Sequence, residues 1–290
     1  MAKKKSSDGK VPKVTPPKKS GATRSKAKKP AKKKTSAKVK SGSVAKAPAI
    51  KLEGGAKRAL RKPTWRRKLI KYALLICLFL CILPVLLTLI YWPSAVKPVS
   101  TLMIQQRFSG ETVKRNWVSF DKISPFVWQS VVSSEDGQFC KHSGVDWNQI
   151  NIVIDDALEG EPVRGASTIT MQSVKNLYLW PSRSYIRKVL EVPLAMMVNA
   201  IWGKKRTMEI YLNIAEWGPG IYGIEAAAQH HFKRSARKLT RKQAALLAVT
   251  LPNPIARNPR KPNRGMRRLA RLVEGRARAS GAYVKCLRDE

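Results

Sequence analysis

The feature that most constrains this 290-residue chain is an uncharged run of twenty residues at 73–92, ALLICLFLCILPVLLTLIYW. About 20 helical residues span a hydrocarbon core of roughly 30 Å. A buried core helix would carry a polar stripe, and this run has none. A cleaved signal peptide would pair a short basic region with about 7–15 apolar residues, whereas 72 residues precede this run. A single uncleaved membrane helix is therefore expected, bent at Pro84, with Tyr91 and Trp92 at its outer interface. Arg58, Arg61, Lys62, Arg66, Arg67, Lys68 and Lys71 crowd its N-terminal side, against Lys97 just beyond it. The positive-inside rule then places the N-terminus in the cytoplasm and the chain after residue 92 outside the cytoplasmic (inner) membrane.

The formal charge of +39 excludes an ordinary soluble enzyme with a mixed surface and calls for a polyanionic neighbour. Residues 1–72 hold 26 Lys and Arg against Asp8 and Glu53, with no aromatic residue before Trp65. Such a segment cannot bury enough apolar surface to offset its ordering entropy, so a disordered basic tail is expected. The leading reading is an arm held near anionic membrane lipid. The other is a nucleic-acid-binding tail of salt-dependent affinity, which the orientation denies to the rest of the chain. Residues 256–290 form a second basic segment, expected to lie near membrane or cell-wall polyanions. Only Cys140 and Cys286 lie outside the apolar run, too few for a disulfide scaffold, and the core is expected not to depend on disulfides, a single Cys140–Cys286 bridge being the lesser alternative.

Between these segments, residues 93–255 suffice for one domain. Helical periodicity dominates and period-two strand patterns are nearly absent, so the fold is expected to be mostly α. Four stretches carry candidate chemistry. In EDGQFCKHSGVDW, Glu135 and Asp136 follow an apolar helical run, where desolvation raises a carboxylate toward the range of a general base; a solvated helix-end pair is the bland alternative. In RGASTITMQSVKN, small and hydroxyl residues precede a helix and could present backbone N–H groups to an anion, or simply cap the helix. In RSYIRKVLEVPLAMM, Arg187 and Glu191 share a helix face, as a structural pair or as a buried functional carboxylate. EWGPGIYGIEAAA reads alone as a tight loop and a close-packed helix.

EDGQFCKHSGVDW, RGASTITMQSVKNLYLW, RKVLE with KKRTMEIYLN, and AEWGPGIYGIEAAAQHHF, in that order, resemble the successive motifs of the peptidoglycan glycosyltransferases (glycosyltransferase family 51), and most closely its single-domain branch. The resemblance runs from about Phe126 to Pro254. It implies a mostly α, lysozyme-like domain with a small membrane-dipping part, behind a single transmembrane helix. The implied reaction joins lipid II units to a nascent glycan strand with inversion and release of undecaprenyl diphosphate. By motif position, Glu135 is the base and Glu191 acts near the diphosphate, directly or through a divalent cation (Mg or Mn). Lys175, Arg183 and Arg187 fall on diphosphate-contacting positions, and Asp136, Phe139, His142, Ser167, Thr168, Gln172 and Asn176 on positions that shape or line the cleft. Other cell-wall synthesis proteins are admitted as partners.

Three residues depart from the family pattern. Met171 replaces a glutamine, Asn199 stands where a glutamate is common, and Pro193 is expected to kink the helix beside Glu191. Two other functions compete: a lytic transglycosylase cutting finished peptidoglycan, and an inactive membrane tether with a nucleic-acid-binding tail. The Lys and Arg set suited to a diphosphate disfavours the first.

Overall fold

The computed structural model describes residues 64–161, 165–182 and 184–288. The expected tail up to residue 63, and Arg183 among the candidate site residues, lie outside the described residues. The first helix, α1, runs Thr64–Tyr91 and is long and apolar enough to cross a membrane, with a mean hydropathy of 3.1 over its best window. It continues through Pro84 and takes in the basic residues 66–71 as its first turns.

Beyond it come α2 (Thr101–Phe108), β1 (Lys114–Arg115), α3 (Pro125–Glu135), α4 (Trp147–Leu158), α5 (Ile169–Tyr178), α6 (Tyr185–Ile201) and α7 (Lys204–Ile214). Then follow β2 (Glu216–Gly218), β3 (Ile221–Tyr222), α8 (Ile224–Phe232), α9 (Arg241–Ala248) and α10 (Arg264–Arg278). The mostly α character holds. The strands form one small sheet in the order β1-β3-β2, parallel then antiparallel. Gly220, in the turn between β2 and β3, has φ +69°, and a Cβ there would clash with Thr112 O, so glycine at this position is a geometric requirement of the sheet.

α7 explains how the domain holds together. All eight residues 207–214 are buried, as expected of a helix surrounded on every side rather than one with a wet face. Met208, Tyr211 and Leu212 join the cluster built by α3, α8, α9 and α10, while Ile210 and Ile214 join the cluster built around α5 and α6. The polar residues of α7 are satisfied internally. Asn213 exchanges bonds with both backbone groups of Val118, accepting at 2.9 Å and donating at 2.8 Å.

The basic segment after residue 255 contributes to this core. Met266, Ala270, Val273 and Ala277 recur at helical spacing on α10 and are buried against α3 and α9, which leaves the arginines outward. The cysteine expectation is corrected: Cys140, in the loop after α3, is bridged to Cys286 in the C-terminal turn, closing 146 residues. The sequence placed these cysteines far apart, and only the return of the chain past α10 brings them to a Cα–Cα distance of 5.6 Å. Cys286→Ser is expected to cost about 2–5 kcal/mol, measured by chemical denaturation under non-reducing conditions.

Candidate active site

The end of α3 and the start of α5 are tied together by polar bonds. Asp136, buried just past α3, accepts from the Ile169 N–H at 2.9 Å and from His142 Nε2 at 2.9 Å. His142 Nδ1 accepts from the Gly144 N–H at 3.1 Å, so the neutral ring carries its proton on Nε2 and donates it to Asp136. Thr168 caps α5, accepting from the Met171 N–H at 3.1 Å, and donates its own proton to Gly144 O at 2.6 Å. Gly144 has φ +94° and faces Ala195 O, 2.4 Å from where a Cβ would stand. Gly144→Ala is therefore expected to push α6 away and destabilise the domain by roughly 1–3 kcal/mol, read as a fall in unfolding midpoint. Phe139 is fully buried, edge-on to His142. Phe139 and His142 thus act as the frame of the site, while Asp136 and Thr168 both tie that frame together and line the cavity beside Glu135.

That frame presents Glu135. Its Oε2 accepts from Gln172 Nε2 at 3.2 Å, and Gln172 Oε1 in turn accepts from the buried Tyr211 hydroxyl at 3.0 Å. Ser134 donates to Oε1 at 3.2 Å. Burial pushes the Glu135 carboxyl above its ordinary 4.5, with the Gln172 and Ser134 bonds opposing. A glutamate that is desolvated yet still accepts hydrogen bonds has the character of a proton acceptor.

A second group surrounds Glu191, which is 2% exposed on α6. Arg187 Nη1 donates to Oε1, and Lys188 Nζ donates to Oε2 at 2.8 Å and to Ser167 Oγ at 2.6 Å. Lys175 lies in the fields of both carboxylates. Burial pulls its ammonium below the ordinary lysine value; Glu191 and Glu135 oppose this, while Arg187 and Lys188 add to it. Gln172 and Lys175 are three apart on α5, so one helix face serves both groups. α6 is continuous through Pro193, and Glu191 remains paired. Met171 is fully buried in the second apolar cluster, and Asn199 is half-buried beside Gly144.

Two cavities flank the Glu135–Gln172 bond. One, of about 430 Å³, is lined by Glu135, Ser167, Thr168 and Arg276; the other, of about 210 Å³, by Gln172, Lys175, Asn176 and Tyr211. A larger cavity, of about 950 Å³ between α8, α9 and α10, is lined by neither Glu135 nor Glu191. Among the described residues no three His, Cys, Asp or Glu side chains come together, and both oxygens of Glu191 are taken by cations.

Several contributors escaped the sequence reading. Lys188 was detectable from its i,i+3 spacing to Glu191. Tyr211 and Arg276 carry no local signal and are brought in by long-range packing. Lys204 likewise holds the frame, donating to His142 O at 2.7 Å above the Phe139 ring, and burial pushes its ammonium down to about 8.

The sequence profile described as Transglycosylase matches residues 101–277, from α2 into α10. The chain belongs to the transglycosylase family. It is 62% identical over 219 residues to the biosynthetic peptidoglycan transglycosylase of Brucella suis biovar 1, covering 76% of this chain and 98% of the relative. The protein of the same name from Mesorhizobium japonicum is 57% identical over 241 residues, 82% of this chain and 99% of the relative. That of Agrobacterium fabrum is 58% identical over 223 residues, 77% and 99%. Both carboxylate groups fall inside the transglycosylase region.

Proposed function

We propose that this enzyme, a peptidoglycan glycosyltransferase of cell wall synthesis, polymerises lipid II by a single inverting displacement. The observation that carries the reading is the pairing of one desolvated, hydrogen-bonded glutamate with a separate cationic cluster, with Lys175 in the field of both. Glu135 accepts the proton of the acceptor's 4-hydroxyl as that oxygen attacks the anomeric carbon of the growing chain. The bond from that carbon to undecaprenyl diphosphate breaks, and the leaving diphosphate keeps the electron pair. Its charge is met by Lys175, Arg187 and Lys188, which replace the acid that a poorer leaving group would need. One base on the face opposite the leaving group suffices for inversion. Glu191 keeps Arg187 and Lys188 oriented when no diphosphate is present.

Placement relative to the membrane belongs to the same proposal. The cation excess before α1 favours a cytoplasmic N-terminus, and a Cys140–Cys286 bridge favours an oxidising, extracytoplasmic compartment for the domain. Leu158, Tyr185, Ile186 and Val189 are exposed apolar side chains suited to resting on a bilayer. The basic tail suits anionic lipid headgroups.

The full-length protein, offered lipid II and purified sacculi separately, is expected to elongate the first and leave the second intact. Loss of sacculus turbidity without strand synthesis would reverse the assignment in favour of a lytic enzyme. The pH profile follows from Glu135. A base must be ionised, and its carboxyl is raised, so kcat/KM is expected to fall as pH drops through a value above 4.5. Because the Gln172 bond lowers that value, Gln172→Leu is expected to move the acid limb to higher pH in a pH–rate measurement.

A further inference from the structure

The C-terminal end of the membrane helix is gripped by the catalytic domain through groups the chemistry does not use. Thr88 is the sole buried residue of α1 and is completely inaccessible. Its hydroxyl donates to Pro84 O at 2.7 Å, so in its 2.9 Å contact with Tyr178 the phenol is the donor. The last carbonyls of a helix have no partner within it. Here the Trp92 N–H turns back to Leu89 O at 3.3 Å, and Thr88 O receives the Trp202 indole N–H at 2.8 Å instead. Arg206 completes the cap, donating to Tyr91 O at 2.8 Å, Pro93 O at 2.9 Å and Val96 O at 2.7 Å, with Glu209 balancing its charge at 2.6 Å. A guanidinium there also complements the negative end of the helix dipole.

The three anchors lie on or directly after three of the helices that carry the site, Glu135 standing on a fourth, α3. Tyr178 ends α5, one turn after Lys175; Trp202 follows α6, which carries Arg187 and Glu191; Arg206 lies on α7, which carries Tyr211. A lipid-linked diphosphate has its height fixed by the bilayer, and α1 is the element that fixes the protein's height. Correct alignment of the two therefore depends on a rigid joint between α1 and the catalytic helices.

We propose that Thr88 is a positioning residue for glycosyl transfer: its hydroxyl and carbonyl lock the end of the membrane helix to α5 and α6, so that Lys175, Arg187 and Glu191 stand at a fixed depth relative to the bilayer. This rests on the lipid II reading. The test uses the full chain in phosphatidylglycerol-containing vesicles with lipid II. Thr88→Val keeps shape and loses the hydroxyl, and Tyr178→Phe removes its partner. Each is expected to lower kcat/KM about tenfold, the effect of one unmet buried hydrogen bond, with the loss falling on KM. The double variant is expected to be no worse than either single one, and Thr88→Ser to retain the original rate. Unchanged kinetics in both single variants, or a loss shared by Thr88→Ser, would overturn the proposal. Amide hydrogen exchange separates the two claims. Thr88→Val is expected to speed exchange in the last turns of α5 and α6 whatever the substrate, and unchanged exchange overturns the latch. Faster exchange, together with a parent protein that makes no strands, supports the latch and overturns the lipid II reading alone.

Discussion

Glu135→Gln is expected to lower strand synthesis by about 10³-fold while leaving the protein folded, because removal of a positioned general base costs on the order of 10²–10⁴ in rate. The amide keeps the size of the side chain and can still meet Gln172, so the frame of Asp136, His142 and Thr168 is not disturbed. The stability effect has a definite sign. Burial raises the Glu135 carboxyl above its unfolded value, so the folded state binds the proton more tightly than the unfolded one. Stability then falls as pH rises through the interval between the two values, and the cost is complete above the folded one. At neutral pH the neutral glutamine escapes that cost. Its thermal midpoint is therefore expected to equal or exceed that of the parent. A variant that was both inactive and less stable would point to a structural role for Glu135.

Glu191→Leu is expected to be damaging for a different reason. Glu191 is the counter-ion of the buried Arg187 and accepts from Lys188 as well. Removing one partner of a buried ion pair costs about 3–5 kcal/mol, since the remaining charge stays desolvated. Arg187 Nε is already without a partner, so little remains to compensate. The effect extends to Lys175, whose ammonium loses the attraction that opposes its desolvation. The variant is thus expected to be destabilised in a urea titration and inactive on lipid II. Arg187→Met combined with Glu191→Leu separates the two effects, as it removes the stranded charge: stability should return and activity should not.

The sequence revealed local features and missed those created by distant packing. The long apolar helix α1 was legible because hydropathy over twenty residues is a local property, and the mostly α fold because α3, α5, α6 and α7 have strong helical periodicity. The residues 135, 172, 175, 187 and 191 were legible as motif positions. Their arrangement was not, because the bonds from Asp136 to Ile169, Gln172 to Glu135 and Tyr211 to Gln172 span 33, 37 and 39 residues. The same limit left the Cys140–Cys286 bridge as only the lesser alternative and hid the socket around Thr88. Composition made residues 256–290 look like a basic appendage, yet four apolar positions in α10 place it in the core, a pattern outweighed in the sequence by its arginines.

The measurement that bears most directly on single-displacement polymerisation is the configuration of the newly formed glycosidic bond. The full-length protein, supplied with isotope-labelled lipid II, should yield glycan strands with one undecaprenyl diphosphate released per bond formed. NMR should show each new linkage with the anomeric configuration opposite to that of the diphosphate donor. Retained configuration would require a covalent or second-nucleophile route that Glu135 and the Lys175–Arg187–Lys188 cluster do not provide, and would contradict the mechanism, as would the absence of strands.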